Sequence, residues 1–258
     1  MSEELTGKVA IVTGATSGIG RATALRFADA GARAVALVGR DRETLSAVAE
    51  EIRTRGAEPL AIDADVTSEA DARRVVEATL ERFSALDVLV NAAGVLTNGT
   101  IETTTLADWD AMFDVNLRAV FHLMQLAVPH LEATRGNIVN VSSVTGLRAF
   151  PGVLAYCVSK AGVDQLTRCA ALELAAKGVR VNAVNPGVVR TEIHRRGGMG
   201  DDAYTDFLEH SRQTHPLGRV GDASEVAELI LFLASERAAW ITGATYSIDG
   251  GRAQTCAR

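Results

Sequence analysis

The chain has 258 residues, of which 47% are hydrophobic and 22% are charged, so it can bury one large core and is expected to form a single domain over residues 1–258. Its formal net charge of −6 and the lack of a basic cluster argue against a nucleic-acid-binding surface. No run approaches the roughly eighteen uninterrupted apolar residues of a membrane span, and no apolar signal region is present at the N-terminus, so we expect a cytoplasmic protein without a membrane segment.

Strand and helix patterns alternate along almost the whole sequence. A short apolar run at 8–13 predicts a buried first strand, which leads through a glycine-rich turn into a helical pattern. Such repeated units predict an α/β fold: a doubly wound, Rossmann-type, parallel seven-stranded sheet with helices on both faces. Further strands are predicted at 34–38, 59–62, 87–90, 137–141, 179–184 and 245–248, and helices at 43–55, 69–83, 106–131, 154–176 and 223–234.

The turn after the first predicted strand has the composition of a phosphate cradle. Glycines let the backbone approach a pyrophosphate, and the following helix offers unpaired N–H groups at the positive end of its dipole. A tight turn without a ligand is the alternative, but the strand before it and the helix after it favour nucleotide binding. The predicted contacts are Gly14, Thr16, Ser17, Gly18, Ile19 and Gly20.

Polar and glycine residues follow four other predicted strands. Ligands of a doubly wound sheet bind outside the carboxyl ends of its strands, so these residues are expected to share one site, although each alone could form a turn. The candidates are Asp65, Val66, Asn91, Ala92, Gly94, Ser143, Pro186, Gly187, Val188 and Thr191.

Tyr156 and Lys160 lie four residues apart in a predicted helix, which places the phenol and the ammonium on one face, one turn apart. A phenol ordinarily ionises near about pH 10, and an adjacent cation favours the phenolate and lowers that pKa. The pair is therefore a candidate proton donor and acceptor near neutral pH, although the same spacing also occurs by chance.

A wider set of positions fits one family pattern: Thr13, Gly14, Gly18, Ile19, Gly20, Asp65, Asn91, Ala93, Gly94, Asn116, Ser143, Tyr156, Lys160, Pro186, Gly187, Thr191, Gly243, Asp249, Gly250 and Gly251. Over residues 8–251 the chain resembles the short-chain dehydrogenase/reductase family, and its core is similar to the 3-oxoacyl-carrier-protein reductases. Ala92 departs from the pattern, because the family more often has a second asparagine there. That change bears on local stability more than on chemistry.

The resemblance implies an NAD(P)-dependent oxidoreductase that acts on a small-molecule carbonyl or alcohol. In this pattern Ser143 orients the substrate oxygen, Tyr156 exchanges its proton, and Lys160 lowers the phenol pKa and binds the nicotinamide ribose. Asn116 would break its helix locally and hold a water that relays protons to Lys160, whereas without the resemblance it would be an ordinary helix asparagine.

The resemblance also assigns cofactor contacts. Asp65 is expected to contact the adenine, Gly94 to allow close approach of the ribose and nicotinamide, and Val188 and Thr191 to bind the carboxamide. The hydride chemistry belongs to the cofactor, while the protein supplies geometry and electrostatics.

Gly39 and Arg40 follow the second predicted strand, where an acidic residue would accept hydrogen bonds from the adenosine 2′-hydroxyl. A guanidinium can instead pair with a 2′-phosphate, so NADP(H) is favoured. NAD(H) stays possible, because Asp41 could turn inward and Ser17 lacks the positive charge found there in many NADP-binding relatives. The alternative for Arg40 is a solvated surface charge.

The stretch 191–216 is polar and glycine-rich and predicts a substrate loop or lid with a short helix. Phe150, Pro151 and Val153 are expected to line the pocket near the reacting carbon, which favours an apolar substituent there.

Neither the cysteines nor the histidines of the lid have metal-ligand spacing, so we expect no metal site. The thiols are expected to be reduced and the histidines solvated. The residues concerned are Cys157, Cys169, Cys256, His194, His210 and His215.

The predicted helices at 106–131 and 154–176 carry apolar residues on more than one face, so we expect them to pair in a homodimer or homotetramer. Other functions stay open: an NAD-dependent dehydrogenase of a hydroxysteroid or other alcohol, an epimerase or dehydratase on a similar fold, or a non-catalytic dinucleotide-binding sensor. A sensor should have lost part of the set Ser143, Tyr156 and Lys160, which is complete here.

Overall fold

The computed structural model describes residues 4–255, so Cys256 lies outside the described residues. The described chain forms one parallel sheet of seven strands in the order β3-β2-β1-β4-β5-β6-β7, which confirms the predicted doubly wound architecture. The strands are β1 Val9–Thr13, β2 Ala34–Gly39, β3 Glu58–Asp63, β4 Val88–Asn91, β5 Asn137–Val141, β6 Arg180–Pro186 and β7 Thr245–Ile248.

Helices connect the strands, and side-chain caps fix where several of them begin. Ser68 and Thr105 accept hydrogen bonds from backbone N–H groups in the first turn of their helices, and Asp222 forms a reciprocal capping box with Glu225. The helices are α1 Gly18–Asp29, α2 Arg42–Thr54, α3 Glu69–Phe83, α4 Leu106–Phe113, α5 Ala119–Thr134, α6 Val144–Leu147, α7 Leu154–Leu174, α8 Ile193–Arg196, α9 Asp201–Thr214 and α10 Ala223–Ala234.

The core lies in two layers, one on each face of the sheet. Val12 of β1 belongs to the layer that contains Phe27 of α1, whereas its neighbour Ile11 belongs to the opposite layer with Leu123 of α5. Successive side chains of a strand point to opposite faces, so a strand covered on both sides must be apolar throughout. All five residues of β1 are buried accordingly.

The predicted helix at 106–131 is interrupted. A π-helical turn at Asp114–Arg118 separates α4 from α5. Such turns insert an extra residue into the helix and occur frequently at functional sites. Asn116 lies inside this turn, completely buried.

The lid region 191–216 is more regular than expected, because it contains α8 and the 14-residue α9 rather than one short helix. Gly200 is the N-cap of α9, and Asp201 and Asp202 lie in its first turn. Negative side chains at this end of a helix interact favourably with the helix dipole and stabilise the helix. Tyr204 and Ser211 are buried on the inner face of α9. Within residues 4–255, no helix is both long enough and apolar enough to cross a membrane.

Candidate active site

The glycine-rich turn brings β1 and the N-terminus of α1 into close contact. An added Cβ at Gly20 would lie 2.4 Å from the carbonyl oxygen of Gly14, and one at Gly14 would lie 2.9 Å from that of Ala92. Gly18 has a φ of +53°, which favours glycine. Ser17 begins α1 without a side-chain capping bond, so the first N–H groups of the helix are available to an anion.

Thr13 ties the end of β4 to the end of β1. Its hydroxyl accepts hydrogen bonds from the N–H groups of Ala92 at 3.0 Å and Ala93 at 3.1 Å. On the next strand, Asn91 donates to Asn140 Oδ1 at 2.9 Å. Residue 92 is thus held through its backbone, and an asparagine of β5 supplies an amide beside it.

Arg40 and Asp65 lie at the ends of the neighbouring strands β2 and β3. Hydrogen bonds from the Thr67 N–H at 3.0 Å and hydroxyl at 2.8 Å lower the pKa of Asp65, and the positive charge of Arg40 adds to that effect. Arg40 itself is exposed. Gly39 leaves room for Thr16 of the glycine turn, because an added Cβ would lie 2.7 Å from the threonine methyl group.

Asp41 is engaged at the start of α2. Its carboxylate caps α2, accepting hydrogen bonds from the Thr44 N–H at 3.1 Å and hydroxyl at 2.7 Å. These bonds lower the pKa of Asp41, so the group is ionised and engaged at neutral pH. The carboxylate that could have turned inward is therefore committed to the helix.

Ser143, Tyr156 and Lys160 come together beyond the end of β5. Tyr156 and Lys160 are buried in α7, with 7% and 4% of their surfaces exposed, and Lys160 Nζ lies 5.7 Å from the centre of the phenol ring. Nζ donates to the carbonyl oxygen of Val141 at 2.8 Å. Ser143 begins α6, where its hydroxyl accepts a hydrogen bond from the Thr145 N–H at 3.2 Å.

Burial dominates the electrostatics of this group. It raises the pKa of Tyr156 to about 12, a rise that the hydrogen bond with Ser143 opposes. It lowers the pKa of Lys160 to about 8, while the negative charge of Asp164 opposes that change. The phenol pKa is thus raised, where the spacing alone predicted a lowering. The reason is that the loss of water around the phenol outweighs an ammonium that faces the ring and bonds to Val141.

Asn116 links α7 to the loop after β4. Its Oδ1 accepts from the Val95 N–H and its Nδ2 donates to the Val95 carbonyl, both at 2.9 Å. Nδ2 also lies 3.2 Å from Ser159 Oγ, between Tyr156 and Lys160 on α7. The Asn116 amide is therefore engaged within the protein.

Gly94 lies in front of the lysine. An added Cβ there would lie 3.3 Å from Asn116 Oδ1 and 3.6 Å from Lys160 Nζ. The glycine therefore keeps space open beside the ammonium, as its predicted role requires.

The turn after β6 is held by His215. His215 was expected to be solvated, but it is only 2% exposed. Its Nε2 lies 3.1 Å from the Val188 nitrogen and accepts that N–H, and its Nδ1 lies 2.6 Å from the Ser211 carbonyl oxygen. The expectation was wrong because His215 ends α9 directly against Gly187, a contact between distant parts of the chain.

The lid lies against the glycine-rich turn. An added Cβ at Gly18 would lie 3.1 Å from the Thr191 methyl group, and the Thr191 carbonyl accepts a hydrogen bond from the Tyr204 hydroxyl at 2.9 Å. His194, also expected to be solvated, packs against the Phe207 ring with 4.5 Å between ring centres. Thr191 is thus brought to the predicted phosphate cradle by α9.

An apolar cluster borders the phenol of Tyr156. Val153 packs against it, and the Phe150 ring lies 4.9 Å from the Arg252 guanidinium. The cluster consists of Leu96, Met112, Ala155 and Tyr156, with Val95, Trp109, Val153 and Ile193 packed against it.

In the part of the chain that the structure describes, no three His, Cys, Asp or Glu side chains are grouped so that they could hold a metal ion. Cys157 and Cys169 are free thiols. His210 is exposed.

Comparisons with known proteins cover nearly the whole chain. A family profile described as enoyl-(acyl carrier protein) reductase matches residues 14–253. The chain is 40% identical over 252 residues to the 3-oxoacyl-acyl-carrier-protein reductase of Thermotoga maritima, covering 96% of this chain and 98% of that protein. It is 38% identical over 252 residues to the 2,5-dichloro-2,5-cyclohexadiene-1,4-diol dehydrogenase of Sphingobium indicum, covering 97% and 98% of the two chains.

Solved structures of short-chain dehydrogenases/reductases have the same fold as this chain. A short-chain dehydrogenase/reductase of unknown function from Caenorhabditis elegans, determined with cofactor, superposes with a TM-score of 0.91 at 36% identity, covering 98% of this chain and 97% of that one. A short-chain type dehydrogenase/reductase from Mycobacterium marinum gives a TM-score of 0.90 at 34% identity, covering 99% and 98%.

Proposed function

Since the chain belongs to the short-chain dehydrogenase/reductase family and is an NAD(P)-dependent oxidoreductase acting on CH–OH groups, we propose that it interconverts a ketone and a secondary alcohol with NADP(H). In this proposal Tyr156 is the general acid and base. The observation that carries it is the meeting of Ser143, Tyr156 and Lys160 at the same edge of the sheet as the glycine-rich turn.

The residues of the glycine-rich turn fit a dinucleotide. A side chain at Gly14 or Gly20 would fill the space against the backbone, and the uncapped N-terminus of α1 provides donors for a pyrophosphate. Gly94 keeps space beside Lys160, where the nicotinamide ribose would lie. When bound, the nicotinamide supplies the hydride chemistry.

Tyr156, Ser143 and Lys160 have separate roles in the proposed reaction. Tyr156 holds its proton at neutral pH, because burial raises its pKa to about 12, and this is the state needed to protonate a ketone oxygen during reduction. The Ser143 hydroxyl is placed to donate to that same oxygen as negative charge develops on it. Lys160 stands charged behind the phenol ring, with one N–H bound to Val141 and its other donors available to ribose hydroxyls.

The test is turnover of a panel of ketones and alcohols, followed by the absorbance of the reduced nicotinamide. The wild-type protein should reduce at least one ketone class, and Tyr156→Phe should lower kcat by roughly 100-fold or more. Tyr246→Phe is the matched control, because this phenol lies on β7 and should leave kcat unchanged. Tight NADPH binding without turnover, and no effect of Tyr156→Phe, would favour a non-catalytic sensor.

The preference for NADP(H) rests on Arg40. Its guanidinium is exposed at the end of β2, and the nearby carboxylate of Asp41 is engaged in capping α2. Gly39 admits the glycine turn closely, so a 2′-phosphate at this edge would meet a cation without facing a free carboxylate.

Arg40→Ala should therefore raise KM for NADPH roughly 10–100-fold, with little change for NADH, because a charge-assisted contact to the phosphate is lost. Arg53→Ala, which removes an exposed arginine at the far end of α2, is the control. Equal effects of Arg40→Ala on both cofactors would remove the argument for NADP(H).

The apolar cluster beside Tyr156 favours a substrate with an apolar substituent next to its carbonyl. Leu96, Met112 and Val153 offer no charge to a substrate, so a carboxylate or ammonium close to the reacting carbon would be poorly accommodated. The matching relatives include a 3-oxoacyl-acyl-carrier-protein reductase and a cyclic diol dehydrogenase, so the panel should contain both 3-oxoacyl thioesters and cyclic ketones.

We further propose a homodimer or homotetramer. Phe121 of α5 and Leu172 of α7 are 50% and 83% exposed, and Trp240 near the C-terminal strand is fully exposed. The mass measured by light scattering should be a multiple of the chain mass, and Leu172→Glu should reduce it. A monomeric wild-type protein would contradict this proposal.

A further inference from the structure

A third ionisable side chain follows Tyr156 and Lys160 along the same face of α7. Asp164 lies one turn beyond Lys160 and is only 1% exposed. The proposed reaction gives it no role, yet an isolated carboxylate is costly to bury. Its surroundings show what compensates for that cost.

Asn185 of β6 connects this carboxylate to the serine segment. Its Nδ2 lies 2.9 Å and 3.0 Å from the two oxygens of Asp164 and 2.9 Å from the carbonyl oxygen of Ser143. Asn185 is completely buried, so these contacts cannot be exchanged for water at little cost. One amide group therefore fixes Asp164 and the backbone of Ser143 relative to each other.

Two further residues close the space around Asp164. The Ser142 side chain lies beside the carboxyl group and favours its ionised form, while the single proton of the Ser142 hydroxyl is donated to the Lys160 carbonyl oxygen at 3.1 Å. An added Cβ at Gly146 would lie 2.5 Å from Asp164 Oδ2, so α6 packs directly on the carboxylate. The group is thus held in one orientation by three elements, β6, α6 and α7.

We propose that Asp164 is a positioning residue for the reaction: its carboxylate keeps the Lys160 ammonium charged and, through Asn185, holds the Ser143 segment in place. The proposal rests on the proposed function, because it acts through Ser143 and Lys160. In a buried site with little water, a negative charge one helical turn away acts on the ammonium more strongly than it would at the surface.

The charged groups around Asp164 are few. Burial raises the pKa of Asp164, and this rise is opposed by the Ser142 and Asn185 side chains and by the positive charges of Arg168, one turn after it, and Lys160, one turn before it. Lys160 in turn feels Asp164 and faces the Tyr156 ring, beside the Cys157 thiol. The four residues of α6 that cover the site carry no titratable side chain.

The experiment is the pH dependence of kcat for ketone reduction in the wild type, Asp164→Asn and Glu173→Gln. The substitution Glu173→Gln removes an equal charge from an exposed position of the same helix and is the matched control. In Asp164→Asn the alkaline limb, along which the rate falls as Lys160 loses its proton, should move to lower pH by roughly 0.5–1 unit. Glu173→Gln should follow the wild-type curve.

A limb that stays in place in Asp164→Asn, even with a lower kcat at every pH, would reduce Asp164 to a packing role and overturn the proposal. If Asp164→Asn does not fold, Asp164→Ser takes its place. That variant also removes the negative charge and keeps an oxygen that can accept from Asn185, so its limb should move in the same direction, and an unmoved limb there is equally decisive against the proposal.

The outcomes separate this inference from the proposed function. A wild-type protein whose turnover depends on Tyr156, combined with an unmoved limb in Asp164→Asn, defeats only the inference. A wild-type protein with no turnover, or with turnover unaffected by Tyr156→Phe, defeats the proposed function and the inference with it.

Discussion

Two regions along the same edge of the sheet achieve their arrangements by opposite means. At the end of β1, contacts are made by the backbone: Gly14 and Gly20 meet without side chains, and the N-terminus of α1 is left uncapped. At the end of β5, they are made by buried side chains: Tyr156 and Lys160 are enclosed with Ser143, and Asn185 fixes the segment that carries the serine.

The difference separates two kinds of vulnerability. A backbone cradle tolerates no added atom, because the neighbouring backbone cannot move aside cheaply. A buried polar cluster tolerates substitutions of similar shape, but every substitution alters charge or hydrogen bonding in a place without water. Substitutions in the region at the end of β1 should therefore affect mainly folding and cofactor affinity. Substitutions in the region at the end of β5 should affect mainly the rate and its pH dependence.

The largest effect should follow Gly20→Ala. Its Cβ would lie 2.4 Å from the Gly14 carbonyl oxygen and 2.8 Å from that of Thr13, so β1 and α1 must separate. We expect a loss of about 3 kcal/mol or more in the free energy of unfolding and a loss of cofactor binding, measured by denaturant unfolding and fluorescence titration.

Gly200→Ala is the control for that change, because nothing lies within 4 Å of its added Cβ and its φ of −67° suits alanine. Alanine is a poorer N-cap than glycine, so this change should cost about 1 kcal/mol, well below the loss expected for Gly20→Ala. Equal losses in the two variants would show that the close contact at Gly20 is not the cause.

Ser143→Ala should come next and should act on rate alone. Removal of a donor to a developing oxyanion typically lowers kcat by roughly 100- to 1000-fold. The serine makes no contact with the glycine-rich turn, so the dissociation constant of the reduced cofactor should stay within about twofold of the wild-type value. Steady-state kinetics and titration test the two expectations separately. A parallel loss of cofactor affinity would contradict the difference between the two regions.

Lys160→Met should sharpen the contrast further, because it should abolish turnover and yet stabilise the protein. Burial lowers the pKa of Lys160 to about 8 from an ordinary value of 10.5, so the folded state pays for holding the charged form. Below about pH 8 the lysine is charged in both the folded and the unfolded chain, and the variant should gain roughly 1–3 kcal/mol.

The gain should shrink as the pH rises from about 8 towards 10.5, because the folded chain has then lost the proton that the unfolded chain still carries. Unfolding in denaturant at a series of pH values measures it. A variant that is less stable than the wild type at pH 7 would show that the bond to Val141 outweighs the cost of burial.

Glu225→Gln should have the smallest effect, because Glu225 lies in the first turn of α10 and belongs to neither region. Arg219 and the Asp222 N–H lower the pKa of Glu225 to about 2. Its folded pKa lies below its unfolded one, so its contribution is present at neutral pH and is lost as the pH falls from about 4.5 towards 2. The site is exposed to solvent, so the loss at pH 7 should be at most about 1 kcal/mol, with kcat unchanged. A change in kcat would contradict the assignment of this residue to helix capping.

Local patterns sufficed for most of the fold. The strands were predicted within two residues at either end, because burial on both faces demands continuous apolar runs such as β1 and β2. The glycine-rich turn could also be recognised, since contact through backbone needs glycine at fixed local spacing. The two positions of the pair Tyr156 and Lys160 follow from helix geometry alone.

What could not be predicted depends on contacts between distant segments. His215 is buried because α9 ends against Gly187, and nothing near it in the sequence indicates that. Asp164 reads as one more polar helix residue until Asn185 of β6 is placed beside it. The raised pKa of Tyr156 has the same origin, because burial is a property of the folded chain and the spacing to Lys160 is not.

The π-helical turn at Asp114–Arg118 has a consequence for chain length. One extra residue in a helix rotates everything after it by about 100° relative to everything before it. α4 can therefore present Met112 to the cluster that contains Tyr156, while α5 presents Leu123 to the core layer on the sheet. Deleting a single residue in this turn would restore an ordinary helix and turn one of these two faces away from its partner, so this segment should tolerate substitutions far better than changes of length.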